Sequence, residues 1–78
     1  MRKGLDMLVK IIHEESKDPK YSGGLGLVFG FVQFENEKLP CFKLTLDFYL
    51  NENINLDRYS KHYYAILNDG KWKSYFSD

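Results

Sequence analysis

The chain has 78 residues, of which 44% are hydrophobic and 28% charged, a balance typical of a folded domain rather than a disordered segment. Lys and Arg together number 11, as do Asp and Glu, and the resulting zero net charge argues against a dedicated nucleic-acid binder. A single cysteine, Cys41, excludes an intramolecular disulfide and a zinc site built on cysteines within one chain. We therefore predict one domain over residues 1–78, located in the reducing cytoplasm.

The first predicted element is an amphipathic helix over about residues 3–16. Apolar side chains recur there at the i, i+3, i+4 and i+7 spacing of one helix face: Leu5, Leu8, Val9 and Ile12. Pro19 disfavours helical geometry at the residue before it and ends the element. A strand over residues 8–12 is the alternative. Asp6 and Lys10 interrupt the apolar run, so neither a signal peptide nor membrane association is predicted.

A glycine-rich connector follows over residues 21–26. A phosphate-binding loop would need a preceding strand and, for a P-loop, a final Lys-Ser or Lys-Thr pair, and neither is present. The segment is therefore interpreted as a flexible turn that links the helix to the sheet.

The first strand is predicted over residues 27–35, where apolar side chains occupy both faces. Such a strand is typical of the centre of a sheet, or of a strand covered on both sides. Gly30 indicates a bulge or a close approach by another group. Asn36-Glu37 is interpreted as the turn into the next strand.

The second strand, over residues 41–50, alternates strictly between apolar and polar side chains, which predicts one buried and one solvent-facing side. The buried side is expected to carry Phe42, Leu44, Leu46, Phe48 and Leu50. The solvent-facing side is expected to carry Cys41, Lys43, Thr45, Asp47 and Tyr49. Pro40 indicates an edge strand or a strand start.

A short helix near residues 55–61 and a final hairpin complete the prediction. The helix is suggested by the spacing of four residues: Leu56, Tyr59, Ser60 and Tyr63. The hairpin joins strands 62–67 and 71–76, because Asp69-Gly70 between apolar runs is a strong turn signal.

The register of this hairpin has two solutions. A two-residue loop pairs Leu67 with Trp72 and places Tyr63 opposite Phe76. A three-residue loop pairs Ile66 with Trp72 instead, and the one-residue difference changes which side chains are buried.

These elements predict an α+β fold in which the N-terminal helix packs on a four-stranded antiparallel sheet built from two hairpins. The order is α-β-β-β-β, with the possible short helix near residues 55–61 between the hairpins. The helix is expected to place Leu5, Leu8 and Ile12 on the second strand's apolar side, against Phe42, Leu44, Leu46 and Phe48.

The segment His62-Tyr63-Tyr64-Ala65, followed by Trp72 and a Phe76…Asp78 ending, resembles the histidine-bearing segment of papain-like ubiquitin-specific peptidases. The resemblance covers the last 17 residues and implies His62 as general base and Cys41 as nucleophile. A catalytic cysteine of that class lies at a helix N-terminus, whose dipole stabilises a thiolate, whereas Cys41 opens a strand. The residues therefore favour a plain hairpin, and no enzymatic activity, metal site or cofactor is predicted.

Six binding residues are predicted on the solvent-facing sides of the strands: Lys43, Thr45, Tyr49, Lys71, Lys73 and Tyr75. Interleaved lysines and tyrosines grip single-stranded nucleic acid through phosphate contacts and base stacking. Tyrosine is also enriched at the hot spots of protein interfaces. A third interpretation is a polar face whose lysines protect a sheet edge from aggregation. The zero net charge and the presence of Asp47 favour a protein partner.

The predicted function is therefore that of a small, non-enzymatic protein-binding module, an inhibitor or adaptor of a larger protein. Compact proteins of this kind are encoded by phages and other mobile elements, some of them against host defence. The alternative is a nucleic-acid-binding domain that uses the Lys/Tyr face. A homodimer formed through a sheet edge is compatible with either function.

Overall fold

A computed structural model describes residues 1–50 and 57–77. Helix α1 spans Arg2–Glu15, and four strands follow: β1 Tyr21–Phe34, β2 Glu37–Tyr49, β3 Arg58–Asn68 and β4 Lys71–Ser77. The strands form one antiparallel sheet in the order β1-β2-β3-β4. The predicted α+β fold, with a helix packed on a four-stranded antiparallel sheet, is confirmed.

The hydrophobic core lies between α1 and the helix-facing side of β2 and β3. Its buried members are Leu8, Phe42, Leu44, Leu46, Phe48 and Ala65. Leu5 and Ile12 pack against this cluster from the helix, as expected, and Ile11 joins them. Val9, predicted on the same apolar face, is 58% exposed, because the narrow contact with the sheet does not reach it. Each Leu or Phe removed from water contributes roughly 1.5–3 kcal/mol, so this single layer supplies most of the stabilising burial in so small a domain.

Two contacts hold α1 in position on the sheet. Glu15, near the helix C-terminus, accepts hydrogen bonds from the Tyr63 hydroxyl at 2.6 Å and from the Lys61 ammonium at 3.2 Å. Near the N-terminus, the backbone at Gly4 lies so close to the Trp72 indole that an added Cβ would stand 2.7 Å from a ring atom. The helix is therefore fixed at both ends to β3 and β4.

The helix is too short and too narrow to cover the sheet. Fourteen helical residues span about 21 Å, whereas the molecule is 45 Å long. A helix about 10 Å wide covers roughly two strands spaced about 4.8 Å apart. α1 lies over β3 and touches β2 and β4. The helix-side residues of β1 therefore stay exposed, at 42–65%: Leu25, Leu27, Phe29 and Phe31.

The structure corrects the predicted position of the first strand. β1 was expected at the centre of the sheet or covered on both sides, but it is an edge strand, paired only with β2 among the described strands. Its apolar residues are exposed on both faces, with Val28 65% and Phe34 50% accessible. A run of apolar residues on both faces indicates a strand but not its neighbours, which only the sheet order determines.

The glycine-rich segment 21–26 is also not a flexible turn, because it forms the first part of β1. The Ser22 hydroxyl donates to the Asp47 carbonyl at 2.8 Å, and the Tyr21 ring packs on Phe48 at 5.4 Å. An irregularity in the β1–β2 register lies between Tyr21 and Leu25, where Gly23 has a φ of 89°. Pairing with β2 therefore overrides the turn preference of the glycines.

Two smaller predictions, for Gly30 and for the first turn, are wrong. Gly30 pairs regularly with Cys41, and nothing lies within 4 Å of the position its Cβ would occupy, so it marks neither a bulge nor a close approach. The first turn is at Glu35-Asn36, one residue earlier than expected, because Phe34 pairs with Glu37. The prediction for Pro40 is correct in part: it lies inside β2 and not at its start, but in a stretch that pairs with β1 alone and is locally an edge, since β3 begins pairing only at Cys41.

The C-terminal hairpin has the two-residue loop. Leu67 pairs with Trp72 and Tyr63 with Phe76, and Asp69 and Gly70 both have positive φ, at 54° and 73°. This left-handed pair is the geometry that Asp-Gly favours in hairpins. Of the short helix predicted near residues 55–61, the part up to residue 56 lies outside the described residues. Residues 58–61 belong to β3, so the helical interpretation is wrong there.

Candidate binding surface

All six predicted binding residues lie on one face of the sheet, the face opposite α1, which we call the open face. β2 contributes Lys43, Thr45 and Tyr49, and β4 contributes Lys71, Lys73 and Tyr75. No element among residues 1–50 and 57–77 packs on this face. Strand alternation, which places every second residue on the same side, is what brings these residues together.

β3 lies between the two groups and adds residues that the sequence analysis missed. Tyr64 pairs with Lys43 on one side and with Tyr75 on the other, so the three residues form a row across the open face. His62 lies opposite Thr45, and Arg58 lies opposite Tyr49. The signal that identifies these residues is the register of the final hairpin, because placing Tyr63 on the helix side places Tyr64 on the open face.

Cations lie over two of the tyrosine rings. The Arg58 guanidinium is 5.1 Å from the centre of the Tyr49 ring, and the Lys43 ammonium is 6.0 Å from that of Tyr64. Both distances fall within the range of cation–π attraction, about 6 Å. The pairs therefore order long side chains that would otherwise move freely at the surface.

Asp47 is the acidic group near the centre of the open face, and it serves the sheet itself. Its carboxylate accepts a hydrogen bond from the Ser60 hydroxyl at 2.7 Å, and its backbone carbonyl accepts the bond from Ser22. Ser22 also accepts a bond from the Gly24 amide at 3.2 Å. Asp47 therefore links β3, β2 and the irregular start of β1, whereas the basic groups Lys43 and Arg58 lie over tyrosine rings.

A shallow groove of about 230 Å³ opens on this face beside Gly30. Because Gly30 has no side chain, its backbone forms the floor next to the buried Cys41. The full lining is Val28, Gly30, Phe31, Val32, Cys41, Lys43 and Tyr64. Burial raises the pKa of the Cys41 thiol, and the Lys43 charge lowers it by a smaller amount. The thiol is thus kept neutral, and the groove has an apolar floor with one basic and one aromatic residue at its rim.

Cys41 and His62 both lie on the open face, but the fold does not bring them together. Cys41 pairs with Ile66, which is four residues from His62 along β3. Four residues of strand span about 13 Å, too far for a cysteine and a base to share a proton. The His62 Nδ1 atom lies 3.1 Å from the Thr45 hydroxyl instead. The arrangement that the peptidase resemblance implies is therefore not formed.

A larger cleft of about 500 Å³ lies between α1 and the β3–β4 turn. Its lining is Lys3, Asp6, Met7, Lys10, Gly70, Lys71 and Trp72. Lys71 borders this cleft at the end of the sheet, which separates it from the other five predicted binding residues. The main cluster on the open face is thus Lys43, Thr45, Tyr49, Lys73 and Tyr75, with Tyr64 at its centre.

Other sites are absent from the parts of the chain that the structure describes. Within residues 1–50 and 57–77, no three His, Cys, Asp or Glu side chains converge to hold a metal ion. No helix in these ranges has both the length and the apolar character needed to cross a membrane.

Comparison of the chain with protein-family models, with curated proteins and with solved structures finds no match.

Proposed function

We propose that the protein is a binding module that recognises another protein through its open face and acts as an inhibitor or adaptor by occupying its partner's surface. The observation that carries this proposal is the apolar groove at Gly30, with Lys43 and Tyr64 at its rim, on a sheet face without a covering element among the described residues. A groove of this size and apolar lining suits one apolar side chain, with Lys43 and Tyr64 at the rim for polar contacts, as in hot-spot pockets.

The composition of the open face also supports a protein partner. Its apolar end is formed by Val28, Val32 and Phe34 on β1, and Val28 is 65% exposed. Tyr64 and Tyr75 continue it, with lysines at intervals. An apolar centre with aromatic and basic residues around it is the usual composition of a protein interface.

A nucleic-acid ligand is the second candidate, favoured by the row of Lys43, Tyr64 and Tyr75 with Lys73 beside it. Tyrosine rings in such a row can stack with successive bases while lysines contact phosphates. This mode predicts an affinity that falls steeply with salt, because bound lysines release counterions. The apolar groove has no role in it.

The first test is capture of partners from cell lysate on the immobilised protein, with and without nuclease, followed by mass spectrometry. The discriminating variant is Gly30→Val, which fills the groove. The new Cβ meets nothing within 4 Å, and valine favours strands, so the fold should be retained. The control is Ser74→Val, which likewise introduces valine into a strand, but at an exposed position on the helix side of β4.

We expect one protein to be retained regardless of nuclease, to be lost with Gly30→Val and to be kept with Ser74→Val. A partner that binds both variants equally would contradict the role of the groove. Retention of nucleic acid, with weaker binding in Lys43→Ala or Lys73→Ala and a strong salt dependence, would establish the second candidate instead.

A further inference from the structure

We infer that the chain forms a two-fold symmetric dimer in which β1 of one copy pairs antiparallel with β1 of a second copy, about an axis at Val28. The first observation is that β1 is a long edge strand. It spans 14 residues, and no other strand of the described ranges pairs with its outer edge. Every second residue of an edge strand directs its backbone N–H and C=O outward, where a further strand can bind.

This edge lacks the features that normally prevent strand addition. Tyr21–Phe34 contains no charged residue and no proline, and its irregularity is confined to the start, before Leu25. Sheet edges are usually protected by lysines, prolines or bulges. The opposite edge, β4, carries Lys71 and Lys73. The contrast between the two edges indicates that β1 is built to be covered and β4 to stay free.

The second copy is the occupant that fits the helix-side apolar stripe of β1. The stripe consists of Leu25, Leu27, Phe29 and Phe31, each 42–65% exposed, and residue 28 is its midpoint. Antiparallel pairing about Val28 places Leu27 opposite the partner's Phe29. It also places Leu25 opposite the partner's Phe31. Every member of the stripe therefore meets an apolar side chain on the same face, the arrangement that stabilises cross-strand pairs.

The available surface and the charge are also compatible with a dimer. At about half exposure and roughly 150–250 Å² per ring, Phe29, Phe31 and Phe34 offer about 300 Å² of apolar surface per chain. Leu25, Leu27 and the backbone edge add to this, toward the 800 Å² or so per partner of a standard interface. With a net charge of zero, two copies do not repel each other. Because β4 is protected, association stops at two copies.

The test is molar mass by sedimentation or light scattering over about a hundredfold range of concentration, since mass action governs the dimer fraction. We expect twice the chain mass at the high end. Leu27→Lys should raise the dissociation constant at least about tenfold, because it places a charge in an apolar interface. Leu50→Lys, at a 54% exposed leucine outside β1, is the matched control and should leave the dimer intact.

A second measurement fixes the register and does not depend on the folding of the lysine variant. In a Cys41→Ala background, Val28→Cys should form an intermolecular disulfide under mild oxidation, because the two-fold axis brings residue 28 beside its own copy. Lys73→Cys, on the other edge, should not. A monomer at all concentrations, an equally stable dimer in Leu27→Lys, or crosslinking at residue 73 rather than 28 would overturn the inference. Leu27 lies on the side opposite the Gly30 groove, so loss of the dimer and loss of partner binding are separate results.

Discussion

At the scale of single residues, Gly4 shows how a local preference yields to a tertiary contact. A glycine within a helix costs about 1 kcal/mol relative to alanine, and Gly4 lies in the first turn of α1. At this position the Trp72 indole fills the space that a Cβ would take. Three ring atoms lie 2.7–2.8 Å from where that Cβ would stand. The glycine therefore allows close packing of the helix on the sheet.

We predict that Gly4→Ala destabilises the protein despite the gain in helix propensity. Overpacking of a tight contact costs typically about 1–3 kcal/mol. A Cβ standing 2.7 Å from a rigid ring places this site toward the upper part of that range, above the gain in helix propensity of about 1 kcal/mol. Chemical denaturation measures the difference, and the emission of Trp72, the single tryptophan, reports its displacement. His13→Ala, on the exposed side of α1, is the control and should be neutral. A more stable Gly4→Ala variant with unchanged emission would contradict this account.

At the scale of elements, the orientation of α1 depends on a polar contact as well as on the apolar stripe. Glu15 bonds both Lys61 and Tyr63 across the helix–sheet boundary, and its side chain is 20% exposed. The neighbouring Glu14 forms only a surface pair with Lys17, at 3.5 Å, and is 71% exposed. Two adjacent carboxylates thus have different roles, and the sequence does not distinguish them.

Glu15→Ala should therefore destabilise the protein by about 1–2 kcal/mol, because a partly buried hydroxyl and an ammonium lose their shared acceptor. Glu14→Ala should change stability by less than about 0.5 kcal/mol, as is usual for exposed pairs. Thermal or urea unfolding of the two variants makes the comparison. Equal effects would mean that the Glu15 contacts do not hold the helix.

The strands show which parts of the fold could be predicted from the sequence. The alternation of β2 correctly predicted Phe42, Leu44, Leu46 and Phe48 as buried, because a period of two assigns each side chain to a face whatever the neighbouring strand. Two residues at its ends depart from the pattern: Leu50, predicted as buried, lies beyond the end of β2 and is 54% exposed, and Cys41, predicted to face solvent, is buried. The position of β1 could not be predicted in the same way, since its apolar residues fit a central strand as well as an edge strand. The turn at Asp69-Gly70 was identified, but the register, and with it the place of Tyr64, required the β3–β4 pairing.

At the scale of the whole molecule, the sheet has two protected central strands and two edges of different character. Amides in the central strands β2 and β3 should exchange with solvent most slowly, because both of their edges are paired. Every second amide of β1 should exchange quickly in dilute solution and slow down as concentration rises and the dimer forms. Hydrogen exchange at two concentrations tests this. Protection of those β1 amides that is independent of concentration would contradict pairing with a second copy.

The candidate site depends both on the alternation of residues within single strands and on the way the strands pair. The sequence placed Lys43, Thr45, Tyr49, Lys71, Lys73 and Tyr75 on solvent-facing positions, and the structure places all six on the open face. The Gly30 groove could not be foreseen, because its lining comes from three strands and its floor is a missing side chain. Such a groove forms only when the strands pair in a particular register, because the register decides which side chains surround Gly30.

The sequence by itself predicted α1 and the greater part of the four strands, since periods of 3.6 and 2 reflect the local geometry of helices and strands. The segments 21–26 and 58–61 were predicted otherwise, and pairing with β2 makes them strand. The sequence also determined the apolar side of β2 and the turn that joins β3 to β4. The tertiary structure decided which surfaces remain for binding. One 14-residue helix covers only part of the sheet in a molecule 45 Å long, so the open face and the apolar edge of β1 are left to solvent. Which surfaces stay exposed depends on the relative sizes and positions of the packed elements, and local sequence patterns do not determine these.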